Sequence, residues 1–425
     1  MTINPETQSI STAAQIPLQT FNLPSFPLEA ANLQHLTLTS DIKPTEYADI
    51  LASPLPQTAI PSSLPNGIDS LTLELFSLGY PAPFLTKLGK ALPRLKALTI
   101  YSHLIDGVSE DSRRDAGEFI HNALTGTKEN PRGLRELHLL DAFCRRGFIE
   151  GIGDILHDSL DGERANFGEG SGLRFLEVSY TYRGHSDPEF LSRISADELP
   201  GLFVSSLIAA SFRLSPPPAV GSEAGLEDVP DDPADVDENG EVVSGKKPAG
   251  IVPVHSTHSG TALLVEKLTG GSDQEARDEA SREPTFGNLK MLDCTLYTLS
   301  IDQLERVLRH QRQLAVLSVS VLVPGDEGAK GALLDAIRAG SEELEIVEIV
   351  GVPEQEIKDV SLSFVEYFRD LFPSASDIVE LSAGLPRLES LSMTILRAPG
   401  FGSVSWTRCD GKWKDGNVSD KGEQV

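Results

Sequence analysis

Several short stretches carry residue types that could do chemistry. Gly240-Glu241-Val242-Val243-Ser244-Gly245-Lys246-Lys247 has the spacing of a phosphate-binding loop, in which backbone amides cradle phosphate oxygens and the lysine reaches the outer phosphates. The Ser or Thr that would hold magnesium is missing, no strand precedes the loop to aim it, and its neighbours are acidic and would repel phosphate. Asp235, Asp237, Asn239 and Gly240 open like a calcium loop, but the position that needs a bidentate Glu is Lys246. His255 and His258 stand close together, yet no third ligand follows at a usable spacing.

Cys144 is flanked by Arg145 and Arg146, and neighbouring cations can lower a thiol pKa. A structural cysteine at a strand end is the stronger reading. No Gly-x-Ser-x-Gly elbow occurs. Asn417-Val418-Ser419 is a glycosylation sequon, used only on a secretory route. The expectation is a protein that is not an enzyme, with no catalytic residues, no cofactor and no metal.

The elements that would have to position any site are more informative. An apolar residue, two variable ones, an apolar one, a polar one and an apolar one recur as Leu33-Leu36-Leu38, Ile68-Leu71-Leu73, Leu95-Leu98-Ile100, Leu134-Leu137-Leu139 and Leu173-Leu176-Val178. The phrase resumes as Leu289-Leu292-Cys294, Leu314-Leu317-Val319, Leu344-Val347-Ile349 and Leu388-Leu391-Met393. The last two apolar positions, two apart, share one face of a strand, and the polar residue between them points away. A single strand of this kind cannot bury its face, whereas stacked parallel strands can.

Between the phrases run apolar stripes of helical period: Phe84, Leu85, Leu88, Leu92; Phe148 to Leu160; Ile301, Leu304, Val307, Leu308; Leu333, Leu334, Ile337; and Phe364, Val365, Phe368, Leu371. Strand, turn, helix, turn is the unit, and the fold class is an α/β leucine-rich-repeat solenoid, a horseshoe with a parallel concave sheet and helices on the convex side. The intervals run from 25 residues (Leu289 to Leu314) to 44 (Leu344 to Leu388), mostly longer than the roughly 20–29 of simple arrays.

Phrases such as Leu92-Pro93-Arg94-Leu95-Lys96-Ala97-Leu98-Thr99-Ile100 and Leu385-Pro386-Arg387-Leu388-Glu389-Ser390-Leu391-Ser392-Met393 resemble the ribonuclease-inhibitor-like repeats of F-box/leucine-rich-repeat proteins, especially divergent fungal members. The resemblance covers about 29–214 and 284–398 and implies the repeat architecture rather than a particular function. Members with ubiquitin-ligase roles carry a helical F-box first. Here the repeats begin by Leu33, and Leu23-Pro24 with Leu28-Glu29 give a faint echo of an F-box opening. The substrate-recognition subunit of an F-box-type ubiquitin ligase, with a degenerate or missing F-box and a ubiquitin-ligase adaptor as a further partner, is the alternative function.

The organisation expected is an N-terminal tail and cap over 1–28, a first repeat block over 29–214, an acidic disordered insertion over 215–283, a second block over 284–398, and a C-terminal cap and tail over 399–425. The insertion opens on Pro216-Pro217-Pro218 and is rich in Asp and Glu, so it lacks the apolar surface to order itself. Leu263, Leu264, Val265 and Leu268 suit a short helix inside it, and Trp406 and Trp413 suit a cover on the last repeat.

Function in a solenoid resides on its sheet. The outward column reads Thr37, Thr72, Thr99, His138, Glu177, then Asp293, Ser318, Glu348, Ser392. The next reads Thr39, Glu74, Tyr101, Leu140, Ser179, then Thr295, Ser320, Val350, Thr394. Threonine suits any strand, so Glu74, Tyr101, His138 and Glu177 are the candidate protein-binding residues.

With 36 Lys+Arg against 63 Asp+Glu, the net charge is -27, which disfavours nucleic acid and anionic membranes and favours a protein partner with a basic surface. Three scattered cysteines, and a start with no basic, apolar leader, point to the cytoplasm or nucleus. A monomer is expected.

Overall fold

The computed structural model describes residues 12–53, 58–61, 64–74, 76–101, 104–161, 172–181, 193–215, 254–270, 288–324, 328–353, 370–395 and 403–415. It is an α/β structure with a 13-stranded, mostly parallel sheet whose strands follow one another in chain order. The strands are β1 (Ala13–Leu18), β2 (His35–Ser40), β3 (Ser70–Glu74), β4 (Ala97–Tyr101), β5 (Glu136–Leu140), β6 (Phe175–Thr181), β7 (Ala209–Ser215), β8 (Met291–Leu299), β9 (Val316–Val323), β10 (Ile346–Pro353), β11 (Ser390–Ile395), β12 (Ser403–Cys409) and β13 (Lys412–Asp415). Helices alternate with them: α1 (Pro44–Ala52), α2 (Phe84–Ala91), α3 (Glu110–Thr125), α4 (Phe148–Asp161), α5 (Ser259–Thr269), α6 (Ile301–His310), α7 (Ala329–Arg338) and α8 (Ala375–Gly384). The chain divides into two compact units, one of Met1–Ser179, Leu191–Phe212 and His258–Leu292, the other of Tyr180–Phe190, Arg213–Thr257 and Asp293–Val425.

Each of the nine apolar phrases coincides with a strand. In the first unit the register is parallel and even: Leu36 pairs with Leu71, Leu71 with Leu98, Leu98 with Leu137 and Leu137 with Leu176. All five leucines are at most 2% exposed, and each contributes about 1.5–3 kcal/mol by leaving water. The alternating residues Thr37, Thr72, Thr99, His138 and Glu177 are half-buried, so the sheet has one dry face and one wetter one. In the second unit Leu317, Val347 and Leu391 repeat the arrangement in parallel register.

The strands outnumber the phrases. β1 runs parallel to β2, with Ala14 opposite Leu36, so part of the expected tail over 1–28 is a further rung. Leu23, in the stretch that echoes an F-box opening, is buried, and its amide donates to the Ala59 carbonyl at 2.7 Å. β7 follows a substituted phrase, Leu207-x-x-Ala210-x-Phe212, whose three apolar residues are buried.

Within the first unit α2 packs on α3 and α3 on α4, within the second α6 packs on α7 and α7 on α8, and two helices take their caps from the next repeat. α2 has no N-cap side chain of its own. Asp115 of α3 accepts from the amides of Leu85 (2.9 Å) and Thr86 (3.1 Å) instead. Glu198 does the same for α4, accepting from Gly147 (2.7 Å) and Glu150 (3.2 Å). Carboxylates at these amides satisfy donors that a helix start leaves orphaned. α6 and α8 close their own ends with capping boxes, Ser300/Gln303 and Ser374/Asp377.

Within 215–283, residues 254–270 form ordered structure, and the short helix expected at Leu263, Leu264, Val265 and Leu268 lies in α5. Val254 bridges to Tyr297 beside β8, and α5 buries Thr261, Leu264, Val265 and Leu268. α5 packs on the 3-10 turn Leu199–Leu202. A Cβ on Gly260 would come within 2.1 Å of the Ala196 carbonyl oxygen, so only glycine permits the approach. The stripe at Phe364, Val365 and Phe368 lies outside the described residues.

At the C-terminal end β12 pairs antiparallel with β11, and β13 with β12. Asp410 and Gly411 both have positive φ (52° and 76°), the two-residue turn that matches the twist of a hairpin. Trp406 is buried and donates its indole N–H to the Pro373 carbonyl at 3.1 Å. Trp413 is only half-buried. Among the described residues, no helix is long and apolar enough to cross a membrane.

Candidate functional site

The candidate residues stand on four consecutive strands of the first unit. Glu74 on β3 lies opposite Tyr101 on β4, and His138 on β5 opposite Glu177 on β6. Tyr101 and His138 occupy neighbouring strands but different columns, since Tyr101 faces Leu140 and His138 faces Thr99. The spacing of adjacent strands puts Glu74 and Glu177 about 14 Å apart across the sheet. The wetter face therefore brings all four together as two adjoining pairs.

His138 and Glu177 touch directly. Nδ1 and Oε2 are 2.8 Å apart, with side chains 28% and 36% exposed. That contact orients the imidazole and leaves the carboxylate reachable from solvent. Thr37, Thr72 and Thr99 form a continuous ladder beside them, and hydroxyls at this spacing offer a partner donors and acceptors without opposing charge. Among the described outward residues of β2 to β6, Glu74, Glu136 and Glu177 are acidic, and no Lys or Arg occurs.

The corresponding positions in the second unit are not equivalent. Asp293 is 8% exposed. Its carboxylate accepts from the Thr295 amide (3.1 Å) and hydroxyl (2.9 Å). Burial pushes its pKa up, against the Thr295 hydrogen bonds and the attraction of Arg213. The Ser320 hydroxyl in turn donates to the Thr295 carbonyl at 2.8 Å. These outward side chains are spent on internal bonds, which a reading of columns alone misses.

A second polar cluster joins the loops that follow β4 and β5. The Asp106 side chain is fully buried and accepts from Arg145 Nε at 2.8 Å, with Arg113 at 3.4 Å. Arg145 also reaches Glu110 at 2.6 Å and the Ser109 carbonyl at 3.0 Å, and Arg146 pairs with Asp197 at 2.9 Å. Between α3 and α4 lies an open groove of about 510 Å³, lined by Arg113, Arg114, Glu118, His121, Ile152 and Ile155 among others. It mixes both charge signs over an apolar floor. The arginines of the cluster face carboxylates and carbonyls, with no nucleophile poised against a base.

This geometry corrects the suggestion that Arg145 and Arg146 activate Cys144. Burial, then Asp106, push the Cys144 thiol up to about 12, against a hydrogen bond with Ser195. The adjacent guanidinium groups are turned to Asp106, Glu110 and Asp197 instead. Cys294 is also buried, and burial raises its pKa, whereas Cys409 is partly exposed. A thiol must ionise to attack. With an aromatic disulfide reagent at mildly alkaline pH, we expect one of the three thiols to react in the folded protein and all three after denaturation. Rapid native labelling of Cys144 would contradict the burial argument.

His255 and His258 are occupied locally. The His258 ring caps α5, its Nδ1 accepting from the Gly260 amide at 3.0 Å. The His255 Nδ1 accepts from the Thr257 amide at 3.2 Å. Among the described residues no group of three His, Cys, Asp or Glu side chains is placed to hold a metal. The loops 235–246 and 240–247 and the sequon at Asn417 lie outside the described residues. No protein-family model matches the chain, and no curated protein matches its sequence.

Proposed function

We propose that the chain is a leucine-rich-repeat solenoid that serves as a protein-interaction scaffold and binds a partner with a basic surface on the outward face of its sheet. The nine apolar phrases, each on a strand, support the repeat assignment. The observation that carries the function is the acidic outward face of β2 to β6, where Glu74 lies opposite Tyr101, Glu136 and Glu177 stand on the following strands, and no Lys or Arg occurs among the described outward residues. Parallel rungs hold these side chains at fixed spacing, so little ordering entropy opposes binding. Tyr101 supplies the aromatic contact area common at interface centres. The carboxylates speed encounter and exclude acidic competitors.

Glu74→Lys separates charge from fold, because Glu74 is half-buried at the end of β3. We expect proteins retained by the wild-type chain at low salt to be lost from Glu74→Lys and more completely from Glu74→Lys/Glu177→Lys, as read by affinity capture with mass spectrometry. Raising salt toward 1 M, where the screening length falls to about 3 Å, should release the same proteins. A captured set indifferent to both charge reversal and salt would sink the reading.

A further inference from the structure

Two large apolar side chains on the outward face have no role in the core. Phe175 opens β6 and is 40% exposed, and Met291 opens β8 and is 41% exposed. β7 lies between these strands. The amides of Arg174 and Phe175 both donate to the Arg135 carbonyl, in the register that sets Phe175 opposite Glu136. Ile208 and Ala209 donate in the same way to Arg174, and Lys290 and Met291 to Ile208. Phe175, Ala209 and Met291 therefore form one row across three rungs.

Two strand spacings separate the outer members by about 9.5 Å. The middle member, Ala209, is a single methyl group and half-buried. Large, small, large across three rungs makes a notch of about the width of one side chain. Water fills it poorly, since its walls are aromatic ring, methyl and thioether.

The charges beside the notch select what enters it. Glu136 is the cross-strand neighbour of Phe175, and Glu177 lies two residues along the same face of β6. Arg135, Arg174 and Lys290 each precede a strand, and the Arg174 guanidinium donates to the Ser206 carbonyl at 3.4 Å. We infer that Phe175, Ala209 and Met291 form an anchor site for one large apolar side chain of a peptide segment that carries Lys or Arg beside it. This rests on the sheet-face reading above and deepens it: the carboxylates attract, and the notch holds.

The test uses the full chain and short random peptides displayed on phage. Enriched peptides should share one large apolar residue with Lys or Arg close by. As synthetic peptides they should bind about tenfold or more weakly to Ala209→Trp, which fills the notch, and to Phe175→Ser, which removes a wall. Val379→Ser, which removes an exposed apolar residue of α8, should leave them unaffected, and circular dichroism should show all three variants folded.

Peptides lost on Glu74→Lys but indifferent to Ala209→Trp overturn the notch and leave the sheet-face reading standing. Peptides indifferent to both overturn both. No enrichment, or enrichment without the apolar-basic pattern, overturns the notch. A dimer in sedimentation that Ala209→Trp abolishes means that a second copy of the chain is the occupant, and overturns the peptide assignment.

Discussion

Replacing Phe21 with alanine is expected to destabilise the first rungs by about 3–5 kcal/mol, the range for deleting a fully buried aromatic side chain. Phe21 is 0% exposed. Its ring lies 5.5 Å from Tyr47, 5.9 Å from Phe76 and 5.3 Å from Phe84. Phe76 and Phe84 in turn meet Tyr80 at 5.0 and 6.0 Å. One residue just beyond β1 thus joins α1, α2 and the turn after β3. In a stack of repeats each unit is stable only through its neighbours, so a cavity here is felt by several rungs. Phe21→Leu, which leaves a smaller void, should cost much less. Urea unfolding followed by circular dichroism and by hydrogen exchange should show β1 to β3 opening early in Phe21→Ala, with later rungs protected. A midpoint shift under about 0.5 kcal/mol, the scale of neutral surface changes, would refute the packing argument.

The sequence shows most of this architecture because the repeat phrase encodes strand parity directly. Leu36, Leu71 and Leu98 fall in register, and the same register sets Glu177 beside His138. The phrase is silent where its leucines are replaced. β7 presents Ala210 and Phe212 at the strand positions, inside the expected first block but without the leucine pair that marks a rung. β1, with Ala14 and Leu18 as its buried residues, offers no phrase at all. The hairpin β12–β13 carried a readable signal in Asp410-Gly411, since that dipeptide supplies the positive φ values of a two-residue turn.

Row position explains the rest. The outward columns begin four residues into each phrase, so the first outward position, two residues in, where Phe175 and Met291 stand, falls outside them. Whether an outward residue is wet also depends on partners that no pattern of one strand contains, as Asp293 and Thr295 illustrate. The Asp106 cluster is less legible still. Its members lie in loops 39 residues apart in the chain, and loops carry no periodicity.

That cluster gives the second large expected effect. Removing one partner of a buried ion pair costs about 3–5 kcal/mol, because the other is left without its counter-charge. Asp106 is fully buried, but Arg145 is 33% and Arg113 26% exposed. The freed guanidinium groups regain some water, so Asp106→Ala should fall at the lower end, about 3 kcal/mol. It also orphans the Arg145 amide, which donates to Asp106 Oδ1 at 3.1 Å. Asp106→Asn, which keeps one acceptor oxygen, should cost less. Arg114→Ala is the control, because Arg114 and Asp111 are both 76% exposed and such pairs contribute about 0–1 kcal/mol. In a double-mutant cycle Asp106→Ala and Arg145→Ala should be strongly non-additive, the second change costing little once the first is made. Additive losses, or an Asp106→Ala denaturation curve that overlays that of Arg114→Ala, would mean the loops are held by something other than this carboxylate.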